Sequence, residues 1–263
     1  MREQRYEMMR PRDIVAEHAR APIAYVPVGP LEWHGPHLPF GVDMLHASIL
    51  ACEAARKTGG VVLPALPLGT ETVLSVQRVR DRGYIGDERI VGMDFPGFSL
   101  PSLYVEDSAF GVIMHEILRA LKRQRFRVIA VVNGHGGRNH LSTLDRIAEE
   151  ESEPPSVRVL HLFALHAGGR GGHAERGETS VMLEYFGDTV DLAALPTLPI
   201  PLKNVDFGVL DHPTCAGDPT PGFTVRENQD PRLATLEEGR VATAQRVQFI
   251  IERVRVALAA LPS

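Results

Sequence analysis

The order of short apolar strands and amphipathic helices is the feature that most constrains how this chain can fold. The predicted strands are Ile23–Val28, Val61–Leu63, Arg127–Val132 and Val157–Phe163. The predicted helices are Asp13–Arg20, Met44–Lys57, Val112–Gln124, His140–Glu151, one opening at Glu178, and Ala234–Leu261. Strands this apolar are typical of sheets buried on both faces, and strand–helix–strand order predicts parallel pairing. We therefore expect an α/β fold, with a mostly parallel sheet covered by helices on both faces.

Composition narrows the class of protein. The chain has 263 residues, 44% hydrophobic and 23% charged, which predicts one domain over residues 1–263 with a single large core. A net charge of −5 without a basic face argues against nucleic acid as a partner. The sequence lacks a membrane-spanning apolar run, and Met1–Asp13 lacks the apolar region of a signal peptide. Cys52 and Cys215 are in no metal or redox spacing, so we expect a cytoplasmic protein with reduced thiols.

Two segments show no strong periodicity. Leu66–Asp107 is rich in glycine and contains Arg78, Arg80, Arg82 and Arg89. These arginines either meet an anionic substrate or a partner subunit, or form a solvated charge cluster with neighbouring acidic residues. Leu192–Pro231 is rich in proline and is expected to wrap around the domain or a neighbour.

The loop after the first strand carries candidate metal ligands. Within Val26–Asp43, glycines and prolines fix the turns around Glu32, His34 and Asp43, with His37 as a spare imidazole. Two carboxylates and an imidazole leaving one strand can converge on a divalent cation. The alternative is a surface loop in which these carboxylates are solvated.

Two later loops carry similar chemistry. His135 lies in the glycine-rich stretch Asn133–Gly137, which lacks the Gly-Lys-Ser/Thr of a phosphate loop. The third loop gives His173, Glu175 and Glu178. Glu178 also suits a helix start, whereas His173 is placed for proton transfer to a leaving group. Since ligands of such sheets bind beyond the carboxyl ends of the strands, we expect the three loops to form one site.

These motifs resemble those of the creatininase (creatinine amidohydrolase) family. The matching stretches, which run from about residue 23 to 185, are Val26–Pro39 with Val42-Asp43, Phe95-Pro96-Gly97, Asn133–Gly137, and His173 through Glu178-Thr179-Ser180. The resemblance implies a three-layer α/β/α fold, a site for one or two zinc, manganese or iron ions, and homo-oligomers that are often hexameric. It also implies that Glu32 and His135 bind one metal, His34 binds the other, Asp43 bridges them and His173 shuttles protons.

The sequence departs from the family's patterns in three places. Gly137 stands where creatininase has a glutamate that helps to hold the second metal, so that metal is weak, absent, or completed by Glu178 or water. Arg138 follows where the Gly-His-Gly-Gly branch usually has asparagine. The arginine-rich segment 70–96 also differs from creatininase, which argues against creatinine itself as the substrate. By motif, the chain looks closer to the formamide hydrolases and peptide-maturation enzymes of the family.

The resulting hypothesis is a metal-dependent amidohydrolase that cleaves a non-peptide C–N bond in a small amide, formamide or lactam, using water activated by the metal. His173 protonates the leaving nitrogen, and Glu175 or Glu178 orients His173 or activates the water. We assign Trp33, His37 and Arg138 to substrate binding, although Trp33 equally suits a core or an interface. The alternatives are a metal-dependent isomerase, lyase or dehydratase, and a non-catalytic family member.

Overall fold

A four-stranded parallel sheet forms the centre of the computed structural model, which describes residues 3–80, 84–95, 100–163, 172–200, 202, 204–205, 208–209 and 227–262. Its strands are β1 (Ile23–Val28), β2 (Val61–Val62), β3 (Val128–Asn133) and β4 (Arg158–Phe163), in the order β2-β1-β3-β4. A separate antiparallel pair consists of β5 (Asn204–Val205) and β6 (Gly208–Val209). The predicted parallel sheet is confirmed.

The six predicted helices are present with ends that differ from the prediction by at most five residues, and one short helix, Val76–Arg80, was not predicted. They are α1 (Pro11–Arg20), α2 (Val42–Thr58), α3 (Val76–Arg80), α4 (Asp107–Arg123), α5 (Arg138–Glu151), α6 (Arg176–Phe186) and α7 (Leu236–Ala259). One difference bears on the site. Helix α2 begins two residues earlier than its periodicity predicts, so Asp43 lies in its first turn and not in the preceding loop.

Side chains from the central strands alternate between two hydrophobic cores. Ile23 and Tyr25 of β1 pack with α2 and α7 on one face, whereas Ala24 and Val26 pack with α4 and α5 on the other. Every residue of β1 and β3 is buried. This arrangement confirms the three-layer α/β/α fold, since a parallel sheet needs both faces covered.

The strand register aligns the predicted site loops. Val28 pairs with Asn133, and Asn133 pairs with Phe163, so β1, β3 and β4 end side by side at one edge of the sheet. The loop after β1, the loop after β3 and the chain beyond β4 therefore leave the sheet at the same level.

The two segments without periodicity remain largely irregular. In 66–107, the described helix is the short α3, and Arg78, Arg80 and Arg89 are exposed while Arg82 lies outside the described residues. Pro96 and Gly97, Cys215, residues 164–171 of the third loop and most of 201–226 also lie outside them. Among the helices that the structure describes, we find none that is long and apolar enough to cross a membrane.

Candidate active site

The loop after β1, the loop after β3 and the start of α2 bring Glu32, His135 and Asp43 together; these residues are here called the first cluster. His135 Nδ1 lies 2.9 Å from Glu32 Oε2 and 3.1 Å from Asp43 Oδ2. All three side chains are almost fully buried. One ligand atom from each falls within 4.8 Å of the others, a spacing that suits a single cation.

Close backbone packing makes this meeting possible. A Cβ on Gly134 would lie 2.1 Å from the carbonyl oxygen of Asp43, far inside van der Waals contact. Glycine therefore lets the loop after β3 lie directly on the first turn of α2, which carries Asp43 towards His135.

Asn133, the last residue of β3, holds the His135 loop from below. Its Oδ1 accepts the His135 backbone N–H at 2.9 Å, and its Nδ2 donates to the His135 carbonyl at 2.8 Å. The same Oδ1 lies 3.0 Å from Nε2 of the buried His140. A fully buried amide with these partners fixes the loop conformation at the site.

His34, His173 and Glu178 form the second cluster. His34 Nε2 lies 3.9 Å from Glu178 Oε2, and the His34 and His173 rings lie 4.1 Å apart between centroids. His173 Nε2 donates to the Trp33 carbonyl at 2.6 Å, which leaves Nδ1 facing Glu32 Oε1 at 3.6 Å. The chain turns here through Ala174, whose φ of 54° is unusual for a residue with a side chain.

Asp43 connects the two clusters. While Oδ2 faces His135, Oδ1 lies 3.2 Å from His34 Nε2. One carboxylate therefore faces both imidazoles with different oxygens, which is the arrangement of a ligand shared between two cations.

Burial and mutual charge shift the pKa values of the site. Burial works against a charged His34, but the charges of Asp43 and Glu178 outweigh it and raise its pKa to about 10. Burial raises the pKa of Glu178 to about 8. Burial, together with the charge of His34, lowers the pKa of His173 to about 3. Without a cation, the protons bound to His34 and Glu178 therefore offset the repulsion among the clustered carboxylates.

The donor set fits a divalent cation. Among the described residues, Glu32 Oε2 and His34 Nε2 are buried and have no hydrogen-bond partner of good geometry, although each lies near an oppositely charged group. Buried polar atoms are rarely left so, and carboxylates with imidazoles are the ligands that zinc, manganese and iron accept. An ion between these atoms would satisfy them.

The other predicted site residues occupy different positions. Glu175 is the N-cap of α6, where its Oε1 accepts the Glu178 backbone N–H at 3.2 Å. Trp33 packs with the small hydrophobic cluster of Val79, Ile90 and Phe95, and its carbonyl contacts His173. His37 is buried, with Nε2 3.1 Å from Thr179 Oγ1. Arg138, the first residue of α5, is exposed.

Sequence reasoning missed Glu71. Its Oε1 lies 3.5 Å from His135 Nε2, on the opposite edge of the ring from Glu32 and Asp43. Although burial works against an ionised carboxyl, the His135 ring lowers the pKa of Glu71. No pattern in the irregular segment 66–107 indicates this contact, because it depends on how two distant loops approach each other.

Comparisons with known proteins agree with the fold and the motifs. The family model described as "Creatininase: Creatinine amidohydrolase" matches residues 7–254. The chain is 24% identical over 251 residues to a creatinine amidohydrolase of Pseudomonas putida, covering 88% of this chain and 84% of that protein. It is 24% identical over 259 residues to a mycofactocin precursor peptide peptidase of Mycolicibacterium smegmatis, covering 90% and 86%. A solved structure titled "Creatininase Mn" superposes with a TM-score of 0.67 at 22% identity, covering 97% and 98%.

Proposed function

The chain belongs to the creatininase family of metal-dependent amidohydrolases, and from that premise we propose that it hydrolyses a non-peptide C–N bond in a small amide, formamide or lactam. The observation that supports this most is the shared position of Asp43, which faces His34 with one oxygen and His135 with the other. Around it lie the carboxylates of Glu32 and Glu178, in the two groups of ligand atoms that are spaced for a cation.

Each cluster has a distinct role in holding metal under this proposal. Glu32, Asp43 and His135 would hold one ion, and His34 with Asp43 and Glu178 would hold the other. Glu178 then supplies the carboxylate for the second ion, because Gly137 has no side chain that could supply one. When bound, a divalent ion supplies a water of lowered pKa and polarises the amide carbonyl. Zinc, manganese and iron all suit this mixture of carboxylate and imidazole.

His173 is the proton carrier in this proposal. Its Nε2–H is engaged by the Trp33 carbonyl, so the free Nδ1 is the atom that takes up and releases a proton. A lowered pKa keeps the ring neutral near pH 7, so it begins the reaction as an acceptor. Nδ1 would accept a proton from the attacking water and give it to the leaving nitrogen, a step worth about 10²–10⁴-fold in rate.

The first experiment measures metal content and substrate range together. Purified protein is analysed for zinc, manganese and iron, and then screened against small amides, formamides and lactams in ¹⁸O-labelled water. We expect bound divalent metal and ¹⁸O in the acid product. Metal without ¹⁸O incorporation would instead support an isomerase, lyase or dehydratase, and protein that binds no divalent metal would support a non-catalytic role.

A second substrate class is favoured by one relative. Because a protein named a mycofactocin precursor peptide peptidase is 24% identical to this chain, the screen should include short peptides with varied C-terminal residues. Cleavage of peptides alone would retain the hydrolase and overturn the non-peptide substrate.

The role of His173 has its own test. We expect His173→Gln to lower kcat by about 10²–10⁴-fold with its metal content unchanged. A loss of bound metal in this variant would instead make His173 a ligand, since its ring belongs to the second cluster.

Three further expectations from the sequence remain proposals. We propose that residues 1–263 form one domain, that the enzyme is cytoplasmic, and that it is a homo-oligomer, with a hexamer as one candidate assembly. Trp33, His37 and Arg138 remain our proposed substrate contacts.

A further inference from the structure

Carboxylates face both edges of the His135 ring, and the buried Nε2 has no hydrogen-bond partner of good geometry within the part of the chain that the structure describes. Glu32 and Asp43 lie 2.9 and 3.1 Å from Nδ1, and Glu71 Oε1 lies 3.5 Å from Nε2. Only one of the two ring nitrogens can bind a cation held by Glu32 and Asp43, and the geometry makes that nitrogen Nδ1. The proton of the neutral ring is then on Nε2, where Glu71 faces it.

The structure builds this position for Glu71. A Cβ on Gly137 would lie 2.6 Å from Glu71 Oε1 and 2.6 Å from His135 Nε2. The contact between the two side chains therefore exists because residue 137 has no side chain. Gly137 therefore leaves the space in which the Glu71 side chain reaches His135.

Neighbouring hydrogen bonds fix the backbone around Glu71. Asn139 of α5 donates to Thr70 Oγ1 at 2.9 Å, and the Gly92 N–H donates to the Thr72 carbonyl at 3.2 Å. The second carboxylate oxygen of Glu71 accepts the Thr72 N–H at 2.7 Å. The side chain is also mostly buried, so the carboxylate is held at the ring on several sides.

On these grounds we infer that Glu71 is a positioning residue for the metal centre, which orients His135 and fixes its proton on Nε2. Carboxylates that receive the second N–H of a metal-binding histidine fix its tautomer and increase its basicity, and their loss typically weakens metal binding about 10–100-fold. This inference rests on the proposed metal site and adds to it a residue from the segment 66–107.

The test measures zinc affinity of the full-length, metal-free protein by titration against a competing chelator. We compare Glu71→Ala and Glu71→Gln with the parent. Glu71→Ala should bind zinc about 10–100-fold more weakly, and Glu71→Gln should fall between, because an amide oxygen still accepts the N–H without its charge.

The matched control is Glu88→Ala. Glu88 belongs to the same segment, but its carboxylate accepts the Gly86 N–H at 2.8 Å and the Ile85 N–H at 3.2 Å. The Glu88→Ala variant should retain the zinc affinity of the parent. If the metal-free Glu71 variants melt at the same temperature as the metal-free parent, their weaker zinc binding does not come from a loss of folding stability.

Two results contradict different claims. If Glu71→Ala binds zinc within twofold of the parent, Glu71 does not position His135, and the proposed metal site stands. If the parent binds none of zinc, manganese and iron in the same titration, the proposed function fails and the inference fails with it.

Discussion

The two clusters of the site differ in how the fold holds them. The first cluster lies between β1, β3 and α2, where Gly134 packs against the backbone of Asp43 and Asn133 fixes the His135 loop. The second cluster depends on the chain beyond β4, and its His173 remains 20% exposed. Under the proposed function, the more buried first cluster would hold an ion, and the more accessible His173 of the second would exchange protons with a substrate.

The two clusters also differ in the charge of their side chains. The first cluster combines two carboxylates with one imidazole, and the second combines one carboxylate with two imidazoles. The two carboxylates of the first cluster offset the charge of a divalent cation more fully. We therefore expect the cation to bind more tightly in the first cluster than in the second. Asp43, which faces an imidazole of each cluster, would join the two clusters into a single centre.

Removal of Asp43 should have the largest effect. We expect Asp43→Ala to lose both ions and to lower activity by about 10³-fold or more, since each ion loses a charged ligand and the bridge between them. Elemental analysis and the hydrolysis assay measure this, with Asp188→Ala, which changes an exposed aspartate, as control. Retention of one ion would show that the clusters are independent.

The pH dependence of metal binding should have the next largest effect, and it reports both clusters, because, against the effect of burial, neighbouring carboxylates also raise the pKa of His135 in the first. In the metal-free protein the pKa of His34 is raised to about 10 and that of Glu178 to about 8, so both hold protons near pH 7. A cation must displace these protons, and its affinity should rise with pH, about tenfold per unit for each proton released. Titrations from about pH 6 to 9 measure the slope.

The His34→Gln variant isolates the contribution of the second cluster to this pH dependence. Without the His34 ring, the remaining binding reports the first cluster, and the slope against pH should be shallower. An unchanged slope would mean that the second cluster does not release protons on binding.

A smaller effect is expected from the glycines of the His135 loop. Gly134→Ala places a methyl group against the Asp43 carbonyl and should lower the free energy of unfolding by about 1–3 kcal/mol. Gly136→Ala is the control, because that residue is exposed and its Cβ would lie 3.5 Å from Phe163 Cζ; it should change stability by less than about 0.5 kcal/mol. Urea denaturation compares them, and equal losses would contradict the packing argument.

Glu175→Ala should have the smallest effect. Because Glu175 caps α6 through the Glu178 N–H, its loss should lower the free energy of unfolding by about 1 kcal/mol while metal content stays unchanged. Thermal unfolding with elemental analysis checks both. A loss of metal would place Glu175 in the second cluster after all.

Much of the fold and part of the site followed from local pattern. The apolar strands and helical periods predicted the sheet, both helix layers and the edge at which the three loops meet. The motif residues Glu32, His34, Asp43, His135, His173 and Glu178 came from those loops, and the structure brings them within two groups of ligand atoms. Glu71 was missed because the segment around it has no periodicity and no motif.

The sequence by itself determined which residues are buried as strands and which loops carry carboxylates and imidazoles, because both are properties of neighbours along the chain. Only the tertiary structure decided that Asp43 turns one oxygen to each imidazole, that Glu175 caps a helix, and that Glu71 reaches His135 over Gly137. These outcomes depend on small changes in the distances between segments far apart in sequence. Such distances are set by how whole layers pack.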